Sequence, residues 1–215
     1  MRWIVAGTHA LDSVIRVSSY HLVQYLAGLD MDPPSEVLYL PAPISPWHAL
    51  LRRGDARYGE RVPWSGLGAS QWRAGVWQYA PSTLLPVLRR WPFDASLASR
   101  RSLRFTTPPL GRVLREAGFE HPDFLIVMNL QYAWLDAMVK PGKLVYRCVD
   151  DIRGFTSAPR SLAFAETELL KRCDFCIATS RNLAMQLEQR GARHTEVVGH
   201  GVDIRSFEDA SEQPE

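Results

Sequence analysis

A doubly wound α/β parallel sheet is what this sequence predicts, on three observations. Short apolar runs that end in small or polar residues alternate with segments of helical period, the pattern of successive βα units. The runs are apolar almost throughout rather than at every second residue, which suits strands covered on both faces. The chain has 215 residues, 46% of them hydrophobic, enough to close a full core as one domain.

The elements follow in order. Trp3 to Ala6 is the first expected strand, and Ser13 to Leu29 a helix, with Val17, Leu22, Tyr25, Leu26 and Leu29 near helical spacing. Glu36 to Leu40 is the second strand. Between Pro41 and Ser82 the composition is rich in Pro, Gly, Arg and Trp, and only Val76 to Tyr79 reads as a short strand. Leu84 to Arg90 and Pro109 to Ala117 are expected helices, the second closed by Gly118. Phe124 to Met128 is a buried strand, Tyr132 to Val139 a short helix, and Lys143 to Val149 a strand after the Pro141-Gly142 turn. Leu162 to Arg172 is a helix, Phe175 to Ala178 a strand, Asn182 to Arg190 a helix ending at Gly191, and Glu196 to Val198 the last strand. The expected domain is 1–204, with 205–215 a hinge or linker tail.

Composition removes several function classes. The net charge of +2 comes from balanced totals, so no nucleic-acid partner is expected from it. Cys148, Cys173 and Cys176 sit in or beside apolar runs, and their odd number argues for reduced thiols in a cytoplasmic setting. Cys173 and Cys176 have the spacing of a redox pair or half a zinc site, but no second pair completes it, and buried small hydrophobes are the simpler reading. No metal is expected. The apolar run at the amino terminus is too short for a signal peptide, and no stretch reaches the roughly 20 apolar residues of a spanning helix. After the first strand, Gly7-Thr8-His9-Ala10-Leu11-Asp12 lacks the further glycines of a dinucleotide site. P-loop, HExxH and GxSxG motifs are absent as well.

In an open parallel sheet the ligand crevice lies beyond the carboxyl ends of the strands. The residues there are Thr8 and His9 after the first strand, Asn129, the pair Asp150-Asp151, Thr179-Ser180, and Gly199-His200-Gly201. Asp150 and Asp151 should point to opposite sides, one into the crevice and the other capping the next helix or pairing with Arg147 or Arg153. A carboxylate in such a cleft can take a proton from a hydroxyl; the plainer alternative makes both of them turn residues. His9 could orient a sugar hydroxyl or a phosphate, or be a surface loop histidine. His200 lies between glycines that permit positive φ, useful against a ligand or in a plain tight turn.

From Arg89 to Arg115 there are seven arginines and one acid, Asp94. Arg89, Arg90, Trp91, Phe93, Arg100, Arg101 and Arg104 form a candidate docking surface for an anionic membrane, at about 1 kcal/mol per basic residue. Arginine with aromatics also suits single-stranded nucleic acid, and a solvated helix face is the plain alternative.

Leu144-Val145-Tyr146-Arg147-Cys148-Val149-Asp150-Asp151, then Glu168 to Asp174, Ile177-Ala178-Thr179-Ser180, and Gly199-His200-Gly201-Val202-Asp203 with Phe207 resemble, in that order, the amino-terminal domain of bacterial GT-B glycosyltransferases. The likeness is to families 1 and 4 and to glucuronosyltransferases of exopolysaccharide assembly, and it covers the chain from about residue 120 and, more loosely, the first 40 residues. It implies a Rossmann-like acceptor-binding domain, one half of a GT-B architecture. A second domain or subunit would bind the nucleotide sugar, and no other cofactor is implied. The base role of inverting members carries over to Asp151, with Asp150 as its substitute. Thr8, His9, Asn129, Thr179, Ser180, His200 and Gly201 become candidate substrate contacts. The implied partner is a sugar or lipid-linked sugar acceptor, in envelope or exopolysaccharide synthesis at the inner face of the cell membrane. Alone, the 215 residues would then be inactive as a transferase. Two departures stand out. The family's Pro-Asn-Gly-Val-Asp turn reads Gly199-His200-Gly201-Val202-Asp203, and the donor domain's ribose and phosphate motifs have no counterpart.

Two other readings compete with this one. The chain could be a non-catalytic binding module or degenerate paralogue, or Asp150-Asp151 could be a magnesium-phosphoryl site.

Overall fold

Alternate residues of the central strands serve two different cores, which is why their sequences are apolar on both faces over most of their length. In the computed structural model the described residues are 1–14, 17–47, 56–66, 68–87, 93–156 and 158–201. They form strands β1 (Arg2–Ala6), β2 (Glu36–Leu40), β3 (Ser70–Arg73), β4 (Val76–Gln78), β5 (Phe124–Val127), β6 (Lys143–Cys148), β7 (Phe175–Ala178) and β8 (Thr195–Val197). The helices are α1 (Ser18–Ala27), α2 (Ala56–Arg61), α3 (Ser96–Arg101), α4 (Leu110–Glu116), α5 (Arg160–Leu170) and α6 (Arg181–Gln189). All strands join one sheet in the order β3-β4-β2-β1-β5-β6-β7-β8. Every pairing is parallel except β3 with β4. This is an α/β, Rossmann-like fold.

Ile4, Leu38, Leu125, Leu144 and Tyr146 face the larger core, where Val113, Leu114, Ala165, Leu169 and Leu187 bring α4, α5 and α6 onto the sheet. Val5, Val37, Tyr39, Ile126 and Val145 face the other side, which Val23 and Leu26 of α1 cover. The chain leaves β1 for β2 and β4 on one side, then returns to β5 on the other. That reversal is a topological switch point between β1 and β5, where loops part and a crevice opens.

Some elements differ from the expected ones. Leu84 to Val87 are not helical, since Leu84 N–H bonds to Phe105 O and Pro86 has no N–H to give a helix; Leu88 to Arg90 lie outside the described residues. Tyr132 to Val139 is not one helix. Two 3-10 turns, Leu130–Tyr132 and Leu135–Ala137, take its place. Strand β3 is an addition, a polar edge strand folded back on β4. The tail at 205–215 also lies outside the described residues.

Candidate functional site

Gly7 sets the shape of the crevice. A Cβ at this position would collide with the ring and hydroxyl of Tyr39. Tyr39 is buried, donates to His9 O at 2.7 Å and lies 3.1 Å from Ser19 Oγ, so it pins the loop after β1 to the start of α1. Burial raises its pKa, and the phenol stays protonated as a donor. On the next strand, Asn129 Nδ2 donates to Gly7 O at 3.1 Å while its Oδ1 accepts from Gln131 N. Asn129 thus ties the tips of β1 and β5 together.

Between these tips and the end of β6 lies a cleft of about 470 Å³. Thr8 and His9 line it from the β1 loop, Ser18 and Ser19 from the first turn of α1, Asn129 and Gln131 from the β5 loop, and Asp150 from the β6 loop. Arg61, at the end of α2, closes another wall and donates to Ala42 O at 3.2 Å. Tyr146, Ile152, Phe155 and Leu162 add an apolar side. Among the described residues, Asp150 is the one carboxylate in the lining, and it is exposed.

Asp151 is not part of this lining. Its carboxylate meets Arg190 through both oxygens, at 3.0 and 3.1 Å, and Oδ1 also accepts Arg153 N–H at 3.1 Å. The Arg190 guanidinium holds the Asp151 carboxyl below the usual carboxylate range. The same arginine reaches the fully buried Glu166, whose other partners are Tyr146 Oη at 3.0 Å and Arg153 Nε at 3.4 Å. Of the two expected roles for the second carboxylate, the cap is present, since Asp151 caps the 3-10 turn Ile152–Gly154, while the charged partner differs. Arg190, not Arg147 or Arg153, forms the ion pair with Asp151, and Arg147 turns to the opposite face, where Nη1 donates to Ser18 Oγ at 3.0 Å.

The remaining candidates sit apart from the cleft. Thr179 Oγ1 donates to Val149 O at 2.9 Å, and Ser180 Oγ caps α6 by accepting Leu183 N–H at 3.2 Å. His200 and Gly201 are exposed past β8, two strands and so about 10 Å of sheet beyond β6. Neither Gly199 nor Gly201 adopts positive φ, so the glycines around His200 do not build a left-handed turn. Cys148, Cys173 and Cys176 are buried free thiols. Cys173 and Cys176 lie with sulfurs 3.5 Å apart, and among the described residues no cluster of metal-ligating side chains surrounds them.

The arginine segment carries a second hollow, of about 450 Å³, lined by Leu84, Leu97, Phe105 and Arg101 among others. Leu84, Leu97 and Phe105 are each about half exposed, at 58%, 54% and 49%. Arg101 and Arg104 are exposed beside them, Arg100 stacks over Trp134, and Phe93 packs on Trp47. Arg89, Arg90 and Trp91 lie outside the described residues. No described helix is long and apolar enough to cross a membrane.

A crevice at the switch point of a parallel sheet, lined by small polar groups and one carboxylate, is also where known proteins of this shape can be compared. No family model matches the sequence, and no curated protein is similar to it in sequence. Two solved structures are similar in shape. Both are sucrose-phosphate synthase from Thermosynechococcus elongatus. One superposes with TM-score 0.50 at 10% identity, over 98% of this chain and 95% of that chain. The other gives 0.55 at 10% identity, over 95% of this chain and 49% of that one, so the present chain spans about half its length. The likeness is one of fold, an α/β, Rossmann-like parallel sheet. Arg61 and Ser18, which line the cleft, have no sequence signal of their own, because neither follows a strand. Arg147 reads from the sequence as a possible partner of Asp150 or Asp151, and its turn toward Ser18 has no sequence signal.

Proposed function

We propose that this chain is the acceptor-binding half of a sugar transferase and that the cleft beyond β1, β5 and β6 receives the acceptor. The observation that carries the reading is the position of Asp150, the carboxylate in the lining of a crevice at the sheet's switch point. The glycosyltransferase-like shape supports it. In this reading an acceptor hydroxyl oxygen attacks the anomeric carbon of a nucleotide sugar held by a facing domain or subunit. Its proton passes to Asp150 as the bond to the nucleotide diphosphate breaks, and the electron pair leaves on the diphosphate. Asp150 takes the base role in preference to Asp151, because Arg190 already engages both oxygens of Asp151. Thr8, His9 and Asn129 surround the acceptor.

The hollow at Leu84, Leu97 and Phe105, with Arg101 and Arg104 beside it, belongs to the same reading as a contact with an anionic lipid surface. Apolar side chains would enter the headgroup region while the guanidiniums meet phosphates. Lipid-linked or envelope acceptors at the inner face of a cell membrane fit that placement.

The decisive experiment is transfer of labelled sugar from nucleotide-sugar donors to membrane-extracted acceptors by the chain together with its facing donor domain or subunit, with Asp150→Asn and Asp151→Asn compared. Loss of about 10²–10⁴-fold in turnover is expected for Asp150→Asn, the usual range for a general base. Unchanged turnover in a folded Asp150→Asn protein would remove Asp150 as the base.

A further inference from the structure

Among the described residues, Arg147 is a buried cation without a counter-ion. It lies near the end of β6 with only 9% of its surface exposed, and among the described residues its side chain donates to the neutral Ser18 hydroxyl at 3.0 Å. Among the described residues no carboxylate comes within ion-pair distance of it. Native proteins rarely leave a guanidinium in that condition, because removing a charge from water is unfavourable unless an opposite charge meets it. Burial accordingly pulls its pKa below the ordinary arginine value, although the group stays charged.

A second feature converges on the same spot. Helix α1 starts at Ser18, and Val17 at its N-cap supplies no side-chain hydrogen bond to the first turn. Val17, Ser18 and Ser19 line the cleft, so the positive end of a ten-residue helix opens there. Tyr20 N–H returns to Val17 O at 2.9 Å, and the backbone N–H groups at the very start of such a helix are suited to bind anions. Arg61 stands in the lining of the same cleft. Among the described residues the lining holds one carboxylate, Asp150, while Arg147 lies behind the lining and reaches it through Ser18.

We propose that the α1 side of the cleft is an anion subsite, in which the Ser18 hydroxyl and the backbone N–H groups at the start of α1, with Arg147 behind them, hold a carboxylate or phosphate group of the acceptor. The inference rests on the acceptor reading above and narrows it to acidic or phosphorylated sugars. The anion completes the charge balance that Arg147 lacks, and it fixes the sugar at one end so that a hydroxyl can lie toward Asp150.

Calorimetry on the 215-residue chain tests this, with glucose, glucose 6-phosphate, glucuronate and inorganic phosphate as probes. Glucose 6-phosphate or glucuronate should bind at least about tenfold more tightly than glucose, with phosphate as competitor, and the tighter of the two identifies the anion class. Arg147→Met should abolish that preference while unfolding at the same or a higher temperature, since it removes an uncompensated buried charge. Arg147→Lys should keep the preference within a few fold. Should Arg147→Met fail to fold, Ser18→Ala serves instead and should weaken the anions several fold. Equal binding of glucose and the anions, absence of anion binding at tens of millimolar, or undiminished preference in Arg147→Met would each overturn the subsite. Anion preference in a full-length protein that transfers no sugar would leave the subsite standing and remove the transferase reading.

Discussion

Asp151 and Arg190, 39 residues apart in the chain, join through a two-pronged ion pair with contacts of 3.0 and 3.1 Å. It fastens the loop after β6 to the end of α6, and through Arg190 it extends to the buried Glu166 on α5. The loop that carries Asp150 into the cleft is therefore held from behind by a charged lock.

Arg190→Met should destabilise the protein by about 3–5 kcal/mol, the usual effect of leaving a buried partner charge, here Glu166, without its main cation. Arg153 remains at 3.4 Å and should keep the loss toward the lower end. Urea unfolding midpoints measure this. A change under about 0.5 kcal/mol would show that the lock contributes little.

The same pair predicts a pH dependence. Arg190 depresses the folded pKa of Asp151, so the pair's contribution is complete above the unfolded value of about 3.9 and is lost as pH falls through the lower folded value. Stability of the native chain should drop below about pH 4, and Asp151→Asn should be less stable at pH 7 with a shallower acid decline. Parallel acid profiles for the two proteins would contradict the assignment.

Gly7→Ala should destabilise by about 1–3 kcal/mol, because the added methyl meets the Tyr39 ring. In a Tyr39→Leu background the same change should be nearly neutral, which a double-mutant cycle would read as coupling. Additive effects would mean the two residues do not oppose each other.

The strands were legible because Phe124 to Val127 and Leu144 to Tyr146 carry continuous apolar runs, and burial on both faces demands such runs. Strand β3 was not. Ser70-Gln71-Trp72-Arg73 is a polar edge strand recruited by its hairpin partner, so it carries no apolar signal. Leu84 to Val87 look helical by composition, yet tertiary bonds decide their path: Leu84 N to Phe105 O and Thr83 Oγ1 to Ser102 O at 2.7 Å. At the cleft, Thr8, His9, Asn129 and Asp150 could be read from their place after strands. The Asp151 to Arg190 pairing and the turn of Arg147 toward Ser18 could not, since each depends on contacts distant in sequence.

Vesicle sedimentation tests the Leu84 and Phe105 hollow. Vesicles containing about 30% anionic lipid should retain the protein, neutral vesicles should retain much less, and each lost arginine should weaken binding by about 1 kcal/mol. Arg101→Glu with Arg104→Glu should therefore release it, and half-molar salt should weaken binding through screening. Equal, negligible binding to both vesicle types would remove the surface from the account.

Amide chemical-shift mapping of the labelled chain, titrated with neutral, acidic and phosphorylated mono- and disaccharides, tests the central assignment most directly. Saturable shifts should concentrate at Thr8, Ser18, Asn129 and Asp150, around the tips of β1, β5 and β6. Shifts confined to the β8 tip near His200 or to the Leu84 hollow, with those four unmoved, would contradict it.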